Sequence, residues 1–318
     1  MPSDRSHEQR DRIIISVNPK AGRRSPMLRA EELQDRLREK GFGVELLTDL
    51  AEVAEKANQL HAEGRLRTLC GVGGDGTAAT LVNLTQPGTP ISLLSAGTAN
   101  LLAKFFRLGS RPKRLAEIIE AGHSVTLDAG RAGERLFLVM VSCGFDADVV
   151  RQVHTYREER YRQGHRKGAH ISYFSYIKPI FRSLGGYRFP TINVASFDAE
   201  SGNWKPLDDR ARWAFFFNLN AYGWGLPLAP FAKGDDGRLD HVLLRGGSIL
   251  HGIKYTAFAQ CFGMHRVLSD VKLGQSTKYR ITSTEEIPYQ LDGDPGGVLP
   301  LDIEVISNRF TFVVPKKN

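Results

Sequence analysis

The first 125 residues alternate short apolar runs with stretches in which apolar residues recur at helical spacing. Short runs rich in branched apolar residues predict buried strands, and four such runs occur: Ile13–Val17, Val44–Leu47, Leu69–Cys70 and Ile91–Leu94. The stretches between and after them predict helices: 28–37, Glu52–His61, Thr77–Leu84, Leu101–Phe106 and Lys113–Glu120. This alternation predicts an α/β domain with a doubly wound, mostly parallel sheet covered by helices on both faces.

After Gly122 the pattern changes to apolar runs with few helical stretches between them. Six further strands are predicted: Val125–Leu127, Leu136–Val141, Thr191–Ser196, Trp213–Phe217, His241–Leu244 and Tyr279–Thr282. The sequence therefore predicts a second, β-rich domain. The final alternating stretch, Ile303–Val314, either closes that domain or pairs with the first one.

The length and net charge of the chain indicate its domain number and the kind of partner it binds. The chain has 318 residues, which is long enough for two domains. Its 43 basic and 35 acidic residues give a net charge of +8. Such an excess favours an anionic partner, namely nucleic acid, nucleotide phosphate or an acidic membrane surface.

Several classes of protein are excluded by the pattern of residues. The three cysteines lie far apart and the nine histidines show no metal-ligand spacing, which argues against a disulfide scaffold or zinc ribbon. The N-terminus is polar, and the longest apolar run, Leu136–Val141, is far shorter than the about 18 residues of a membrane span. We expect a cytoplasmic protein and interpret the histidines as surface or core residues.

A glycine-rich turn, Gly71–Gly76, matches GxGxxG between a predicted strand and a predicted helix. A dinucleotide site would need an acidic residue about 20 positions further on, and none occurs from Thr77 to Ala116. The glycines still allow the backbone to approach an anion at the helix N-terminus. Asp75 would repel phosphate unless a metal or proton lay between them, so it is either a chemical group or the cap of the following helix.

Other polar turns follow the predicted parallel strands. They are Asn18–Gly22, Thr48 and Gly97–Asn100. Because the carboxyl ends of parallel strands meet at one edge of a sheet, we expect these turns to share one crevice with the glycine turn. Lys20 and Thr98 are candidate phosphate contacts there.

Six motifs occur in an order that resembles the diacylglycerol kinase and sphingosine kinase family of lipid kinases. They are VNPKAGR (Val17–Arg23), GGDGT (Gly73–Thr77), GTAN (Gly97–Asn100), GFDADVV (Gly144–Val150), LAPFAKGDDGRLD (Leu228–Asp240) and LDGDP (Leu291–Pro295). The resemblance implies an ATP-binding α/β domain of residues 1–124 plus about 301–318. It also implies a β-rich, antiparallel sandwich-like lipid-substrate domain of residues 125–300, with a cleft between the two.

The resemblance also implies an activity: Mg²⁺-dependent transfer of the ATP γ-phosphoryl group to a lipid hydroxyl. The implied contacts to nucleotide or phosphates are Asn18, Thr48, Gly73, Gly74, Gly76, Thr77 and Thr98. Asp75 would organise Mg²⁺ or orient the acceptor hydroxyl, and the resemblance also leaves it open as the general base. Asp128 would hold the catalytic metal with Asp75 through water. Asp236, with the backbone carbonyls of Lys233 and Arg238, resembles a structural metal site, although an acidic hairpin turn is the alternative.

Two departures from the family pattern affect the acceptor side. Asp294 stands where the family usually has glutamate, so the carboxylate reach is one methylene shorter, and both Asp292 and Asp294 are candidates for the general base. Leu101 stands where many members carry an acid. Asp148 matches a position that contacts the substrate head group, but it equally suits the cap of a helix beginning at Val149 or Val150.

Most of the excess positive charge lies in one segment. Residues 151–188 contain nine basic and two acidic residues, interleaved with aromatics such as Tyr173 and Phe181. Such a segment suits an amphipathic helix packed on the second domain, or a surface that contacts anionic lipid. We hypothesise that Tyr173–Arg182 packs partly as core while its basic face contacts an anionic membrane. Nucleic acid is not the expected partner, and a homodimer is left open.

Three functions are consistent with these sequence features. The favoured one is a peripherally membrane-associated, Mg²⁺- and ATP-dependent lipid kinase. The second is an NAD-kinase-like phosphotransferase, since GGDGT is shared with NAD kinases. The third is a non-catalytic lipid- or nucleotide-binding module with the same fold.

Overall fold

The computed structural model describes five stretches of the chain, residues 10–17, 26–97, 99–162, 186–261 and 263–316. The chain divides into two compact units. The first comprises Met1–Leu127 with Asn308–Asn318, and the second comprises Asp128–Ser307.

The first unit is an α/β sheet structure. Its strands are β1 (Arg12–Val17), β2 (Gly43–Leu47), β3 (Leu66–Gly73) and β4 (Pro90–Ser95). Its helices are α1 (Pro26–Glu39), α2 (Leu50–Ala62), α3 (Asp75–Leu84), α4 (Leu101–Phe105) and α5 (Pro112–Ala121). The strands lie in the order β2-β1-β3-β4, and every neighbouring pair is parallel. The predicted α/β domain is confirmed.

The strands of this sheet are apolar on both faces because helices cover both. Ile13, Ile14 and Ile15 are consecutive, so they point to opposite faces, and all three are fully buried. The end of the chain joins the same sheet, where Phe312 pairs with Ile91 in parallel.

The second unit is built mainly from antiparallel strands. Its helices are α6 (Phe145–Arg162) and α7 (Ile249–Gln260). The strands are β5 (Ser124–Ala132), β6 (Arg135–Phe137), β7 (Met140–Gly144), β8 (Ile192–Asp198), β9 (Asn203–Ala211), β10 (Trp213–Phe217), β11 (Leu239–Leu244), β12 (Val271–Ser276), β13 (Lys278–Thr282), β14 (Pro288–Leu291), β15 (Asp294–Val298) and β16 (Leu301–Val313). β5 begins, and β16 ends, within residues of the first unit.

Two sheets enclose the core of the second unit. One has the antiparallel order β12-β11-β10-β7-β14-β15, and the other pairs β16, β13, β8 and β9. Phe137, Phe216 and Tyr279 are among the fully buried side chains of one apolar cluster. The prediction of a β-rich second domain is confirmed.

One predicted strand is divided in two. The sequence predicts a single strand over Leu136–Val141, whereas β6 ends and β7 begins inside that range. At the break, the backbone N–H groups of Leu138 and Val139 donate to the carboxylate of Asp292. Because these N–H groups turn to a side chain, they do not continue a strand ladder.

The helices also differ from the sequence prediction. α6 begins at Phe145, four residues before the predicted start, and α7 is not predicted at all. Asp148 therefore lies inside the first turn of α6 and does not cap that helix, so its alternative role as a cap is wrong. Within the described part of the chain, no helix has both the length and the apolar character needed to cross a bilayer.

His241 is a buried histidine on β11. Its Nδ1 lies 3.0 Å from the hydroxyl oxygen of Tyr279, which donates to the carbonyl of Leu239 at 2.8 Å. Its Nε2 is buried and has no hydrogen-bond partner within the described residues. Burial lowers the pKa of His241 from its usual 6.5 to about 4.

The depressed pKa predicts a pH-dependent stability. Between pH 6.5 and 4 the unfolded chain protonates His241 more readily than the folded one, so this contribution is present above pH 6.5 and lost as pH falls. The loss is at most about 1.4 kcal/mol per pH unit. Urea unfolding of the parent and of His241→Gln at several pH values measures it. The variant should show the shallower decline, and equal slopes would contradict the assignment.

Candidate functional site

The glycine turn after β3 and the turn after β4 lie against each other. Ala96 donates its N–H to the carbonyl of Gly73 at 2.7 Å. A Cβ atom added at Gly97 would lie 2.6 Å from the Cα atom of Gly74, so this approach excludes any side chain at Gly97. The expectation that GGDGT and GTAN share one edge of the sheet is thus met by the described residues of both turns.

Asp75 connects these two turns. Its carboxylate is buried and accepts the backbone N–H groups of Leu101 and Leu102, each at 2.9 Å. These are the first residues of α4, so Asp75 lies at the positive end of that helix. The N-terminal cap of α3 is Gly74, and the alternative role of Asp75 as the cap of α3 is therefore wrong. The pKa of Asp75 is raised above its usual value, because the effect of burial outweighs the lowering effect of the two N–H donors.

Asn100 closes the second turn. It has a positive φ of 48°, a conformation that asparagine tolerates better than most residues. Its Oδ1 accepts the N–H of Gly97 at 3.0 Å, and its Nδ2 donates to the carbonyl of the same residue at 2.8 Å. The final residue of the GTAN motif thus holds the backbone of its own turn.

Of the other residues predicted to contact the nucleotide, one lies at the glycine turn and one lies farther along the sheet edge. Thr77 packs over the glycine turn, since a Cβ at Gly73 would lie 2.0 Å from its Oγ1. Thr48 is exposed and directly follows β2, two strand positions from β3, or roughly 10 Å along the same edge. Asn18, Lys20 and Thr98 lie outside the described residues, so their contacts stay predictions, as do those of Gly76.

The turn between β14 and β15 carries Asp292 and Asp294, two of the three candidates for the general base. Asp292 has a φ of 52° and uses both carboxylate oxygens on backbone N–H groups: Leu138 donates at 2.6 Å, and Val139 and Met140 donate at 2.9 Å each. Its own N–H donates to the carbonyl of Met140 at 3.0 Å. Asp292 therefore anchors the turn to the break between β6 and β7.

Asp294, two residues further on, lies in a different environment. Its side chain is 46% exposed, and its Oδ1 lies 3.5 Å from Nε2 of His154 on α6. The same nitrogen lies 3.2 Å from the carbonyl oxygen of Gly293. The sequence interpretation of the histidines missed this contact, because no spacing rule connects residues 140 positions apart.

A network of polar side chains also contacts the β14–β15 turn. The amide of Gln290 donates to Ser142 Oγ at 2.8 Å, and its Oε1 accepts the N–H of Gly293 at 2.7 Å. Asp146 accepts hydrogen bonds from the hydroxyls of Ser142 and Tyr222. Sequence reasoning also missed Asp146, although it belongs to the GFDADVV motif.

Asp148 in the same motif is buried and pairs within α6. Its two carboxylate oxygens accept Arg151 Nη2 at 2.8 Å and Gln152 Nε2 at 2.7 Å. Its predicted contact with the substrate head group stays a prediction.

Asp128 is joined to the predicted metal loop. Its N–H donates to the carbonyl of Gly234 at 2.6 Å, and its Oδ2 accepts the N–H of Gly237 at 2.7 Å. Asp236 in this loop accepts the N–H of Arg238 at 3.0 Å. Asp128 therefore helps to shape the loop, and its role in holding a catalytic metal stays a prediction.

Asp236 of this loop and Asp240 at the start of β11 share one amide donor. Gln275 Nε2 lies 3.4 Å from Asp236 Oδ2 and 3.2 Å from both oxygens of Asp240. Burial raises the pKa of Asp240 to about 6, and the nearby charge of Asp236 adds to the rise. Carboxylate oxygens of this kind are the donors that Mg²⁺ and Ca²⁺ prefer. The described residues contain no cluster of three or more acidic, histidine or cysteine ligands, so backbone carbonyls and water would have to complete a metal shell.

Comparisons with known proteins cover both units of the chain. Residues 12–132 match the family model described as "Diacylglycerol kinase catalytic domain". Residues 139–314 match the one described as "YegS C-terminal NAD kinase beta sandwich-like domain". The chain therefore belongs to the diacylglycerol kinase and YegS-like lipid kinase family, as its motifs predicted.

Individual relatives cover nearly the whole chain. A diacylglycerol kinase of Mycobacterium tuberculosis is 24% identical over 316 residues, which is 96% of each protein. A crystal structure of a diacylglycerol kinase from Bacillus anthracis aligns with a TM-score of 0.63 at 16% identity, covering 96% of this chain and 97% of that one. An NAD kinase from Archaeoglobus fulgidus aligns with a TM-score of 0.51 at 13% identity, covering 96% and 94%. The two structural likenesses show the shared fold.

The contrast between the two aspartates of LDGDP predicts different effects on stability. Asp292→Asn replaces an oxygen acceptor with an amide donor that faces a backbone N–H, which should lower the free energy of unfolding by about 2 kcal/mol or more. Asp294→Asn changes a half-exposed side chain and should alter it by less than about 0.5 kcal/mol. Urea unfolding of both variants measures the difference. Equal losses would mean that Asp292 is not the anchor.

Proposed function

We propose that this protein is an ATP-dependent kinase that transfers the γ-phosphoryl group to a hydroxyl of a diacylglycerol-like or sphingoid-like lipid. The observation that carries the proposal is the β14–β15 turn. There Asp292 is held by three backbone N–H groups, while Asp294 keeps a half-exposed carboxylate beside His154. Membership of a kinase family and the apposed GGDGT and GTAN turns support it.

The nucleotide would bind at the glycine turn. Gly73, Gly74 and Gly76 leave the backbone bare of side chains, and the N-terminus of α3 offers N–H donors to phosphate oxygens. Asp75 would hold α4 and the GTAN turn in place through its bonds to Leu101 and Leu102.

Mg²⁺, when bound, would neutralise the phosphate charge. Asp75 and Asp128 are the residues proposed to hold the catalytic ion. Asp236, with the carbonyls of Lys233 and Arg238 and with Asp240 nearby, is proposed to hold a structural one.

Asp294 would act as the general base on the acceptor. As the lipid hydroxyl oxygen bonds to the γ-phosphorus and the bond to ADP breaks, the hydroxyl proton passes to the Asp294 carboxylate. His154 Nε2–H, directed at the Gly293 carbonyl and near Asp294, would keep the carboxylate in place.

A lipid acceptor resides in a membrane, so the kinase would have to bind the membrane surface to reach it. We propose peripheral association with an anionic bilayer. The segment favoured for it in the sequence, Tyr173–Arg182, lies outside the described residues, so its membrane contact stays a prediction.

The close approach of the two turns predicts an effect on ATP binding. Gly97→Ala would force Gly74 away and separate the turns, so ATP affinity should fall by about tenfold or more. Gly223→Ala is the matched control, because nothing lies within 4 Å of a Cβ placed there. Titration with a fluorescent ATP analogue measures both, and unchanged affinity in Gly97→Ala would contradict this nucleotide site.

The roles of Asp294 and His154 predict a graded loss of turnover. Asp294→Asn should lower kcat by about 100-fold or more, as expected for a lost general base. His154→Ala should lower kcat by about tenfold with the KM for ATP unchanged, and Asp294→Glu should retain most of the activity. Initial rates at saturating ATP decide it. A kcat of Asp294→Asn within about threefold of the parent would rule out this base.

The proposed function is tested by incubating the protein with γ-labelled ATP and Mg²⁺. The acceptors are diacylglycerol, a sphingoid base, ceramide, phosphatidylglycerol and NAD. Label in diacylglycerol or the sphingoid base is the expected result. Label in NAD alone would replace the proposal with an NAD-kinase-like activity, and no transfer would favour a non-catalytic binding module.

A further inference from the structure

Helix α7 and the 3-10 turn after it, Met264–Val267, expose large apolar side chains. Leu250 is 76% exposed, Ile253 61% and Val267 68%. Five of the twelve exposed large apolar side chains in the described part of the chain belong to this region, and a sixth, Phe231, lies beside it. We call the following six residues the α7 surface: Phe231, Leu250, Ile253, Phe258, Met264 and Val267.

Phe231 comes from a separate loop but is tied to the 3-10 turn. The guanidinium carbon of Arg266 lies over its ring, 5.5 Å from the centroid. The adjacent His265 is buried, and its Nε2 lies 2.8 Å from the carbonyl oxygen of Leu228. The loop and the 3-10 turn therefore present their apolar side chains together.

The opposite face of α7 is firmly packed. Tyr255 is buried, and its hydroxyl donates to Asp270 Oδ2 at 2.6 Å. The hydroxyl oxygen of Tyr255 also accepts the N–H of Gly246 at 2.8 Å. Ser248 caps the helix by accepting the N–H of His251. A surface helix fixed in this way normally turns polar residues outward. Exposed apolar side chains on such a helix mark a surface that contacts a partner.

The charge of this region is one-sided. No aspartate or glutamate occurs from Gly246 to Leu268, while Lys254 and Arg266 are basic. Lys254 pairs with Asp270 at 2.5 Å, just beyond this stretch, and Arg266 lies beside the exposed ring of Phe231. A cation next to exposed aromatic and aliphatic side chains suits an anionic head group above an acyl layer.

We propose that the α7 surface docks the protein on an anionic lipid bilayer, with its apolar side chains inserted and Arg266 at the head groups. The proposal rests on the proposed lipid substrate, which resides in such a bilayer. A second copy of the chain is a poorer occupant. A two-fold contact would bring Arg266 close to its own equivalent, with no acidic residue between Gly246 and Leu268 to pair with it.

Vesicle co-sedimentation tests the docking directly. The vesicles contain phosphatidylcholine alone or equal parts of phosphatidylcholine and phosphatidylglycerol. Leu250→Ser/Ile253→Ser should lower partition into the anionic vesicles by about tenfold or more. The matched control is Leu50→Ser/Leu84→Ser, which alters leucines that are 46% and 40% exposed in the first unit. Equal partition of the α7 variant and the parent would overturn the proposal.

A separate variant tests the contribution of the Arg266 charge to docking. Arg266→Gln should lower partition into the anionic vesicles by about fivefold and leave partition into phosphatidylcholine unchanged. No change in either would remove Arg266 from the docking surface and overturn that part of the proposal.

A fluorescent label at Ile253 identifies the occupant. Cys261 is exposed, so the label is attached to Ile253→Cys in a Cys261→Ser background. An environment-sensitive dye should report water until anionic vesicles are added and then shift to the blue. A blue emission without vesicles at every protein concentration would mean that the chain covers its own surface. A shift that follows protein concentration would mean a second copy, and either result overturns the proposal.

Kinase assays separate this inference from the proposed function. With a short-chain diacylglycerol dispersed as monomers, Leu250→Ser/Ile253→Ser should match the parent, whereas with diacylglycerol embedded in anionic vesicles its rate should fall about tenfold. Equal loss in both formats would contradict a docking role. If the parent phosphorylates neither lipid, the proposed function fails, and co-sedimentation still decides the docking.

Discussion

The second unit depends on one partly buried anchoring interaction, the carboxylate of Asp292 on three consecutive backbone N–H groups. Those groups belong to Leu138, Val139 and Met140, more than 150 residues earlier in the chain. Bonds from backbone N–H groups to a charged acceptor are stronger than neutral ones. The anchor ends β6, begins β7 and fixes the β14–β15 turn. Asp294 owes its position beside His154 to that turn.

The first unit uses a carboxylate in the same manner. Asp75 accepts the first N–H groups of α4 and so holds the GTAN turn against the glycine turn. In both units, therefore, an aspartate of a kinase motif organises backbone at the end of a strand. The anchoring aspartate and the proposed reacting aspartate are neighbours in the LDGDP motif, and only their surroundings distinguish them. The proposed general base is the one whose carboxylate is half-exposed.

Much of this architecture is readable from the sequence because its information is local. Consecutive apolar residues such as Ile13–Ile15 are buried on both faces, so they predict parallel strands directly. The missing parts are nonlocal: the break at Leu138 is made by Asp292, and His154 meets Asp294 across 140 residues. Helix α7 escapes prediction for another reason. Its outward face is apolar, so the amphipathic pattern that marks a surface helix is absent.

The central claim is that Asp294 supplies the base while Asp292 supplies only structure. Chemical rescue tests it most directly, because the half-exposed site of Asp294 can admit a small carboxylate. In Asp294→Gly, added formate should restore phosphoryl transfer from ATP to diacylglycerol in proportion to its concentration, whereas Asp292→Gly should not respond. Rescue of both variants to the same degree, or of Asp292→Gly alone, would contradict the account.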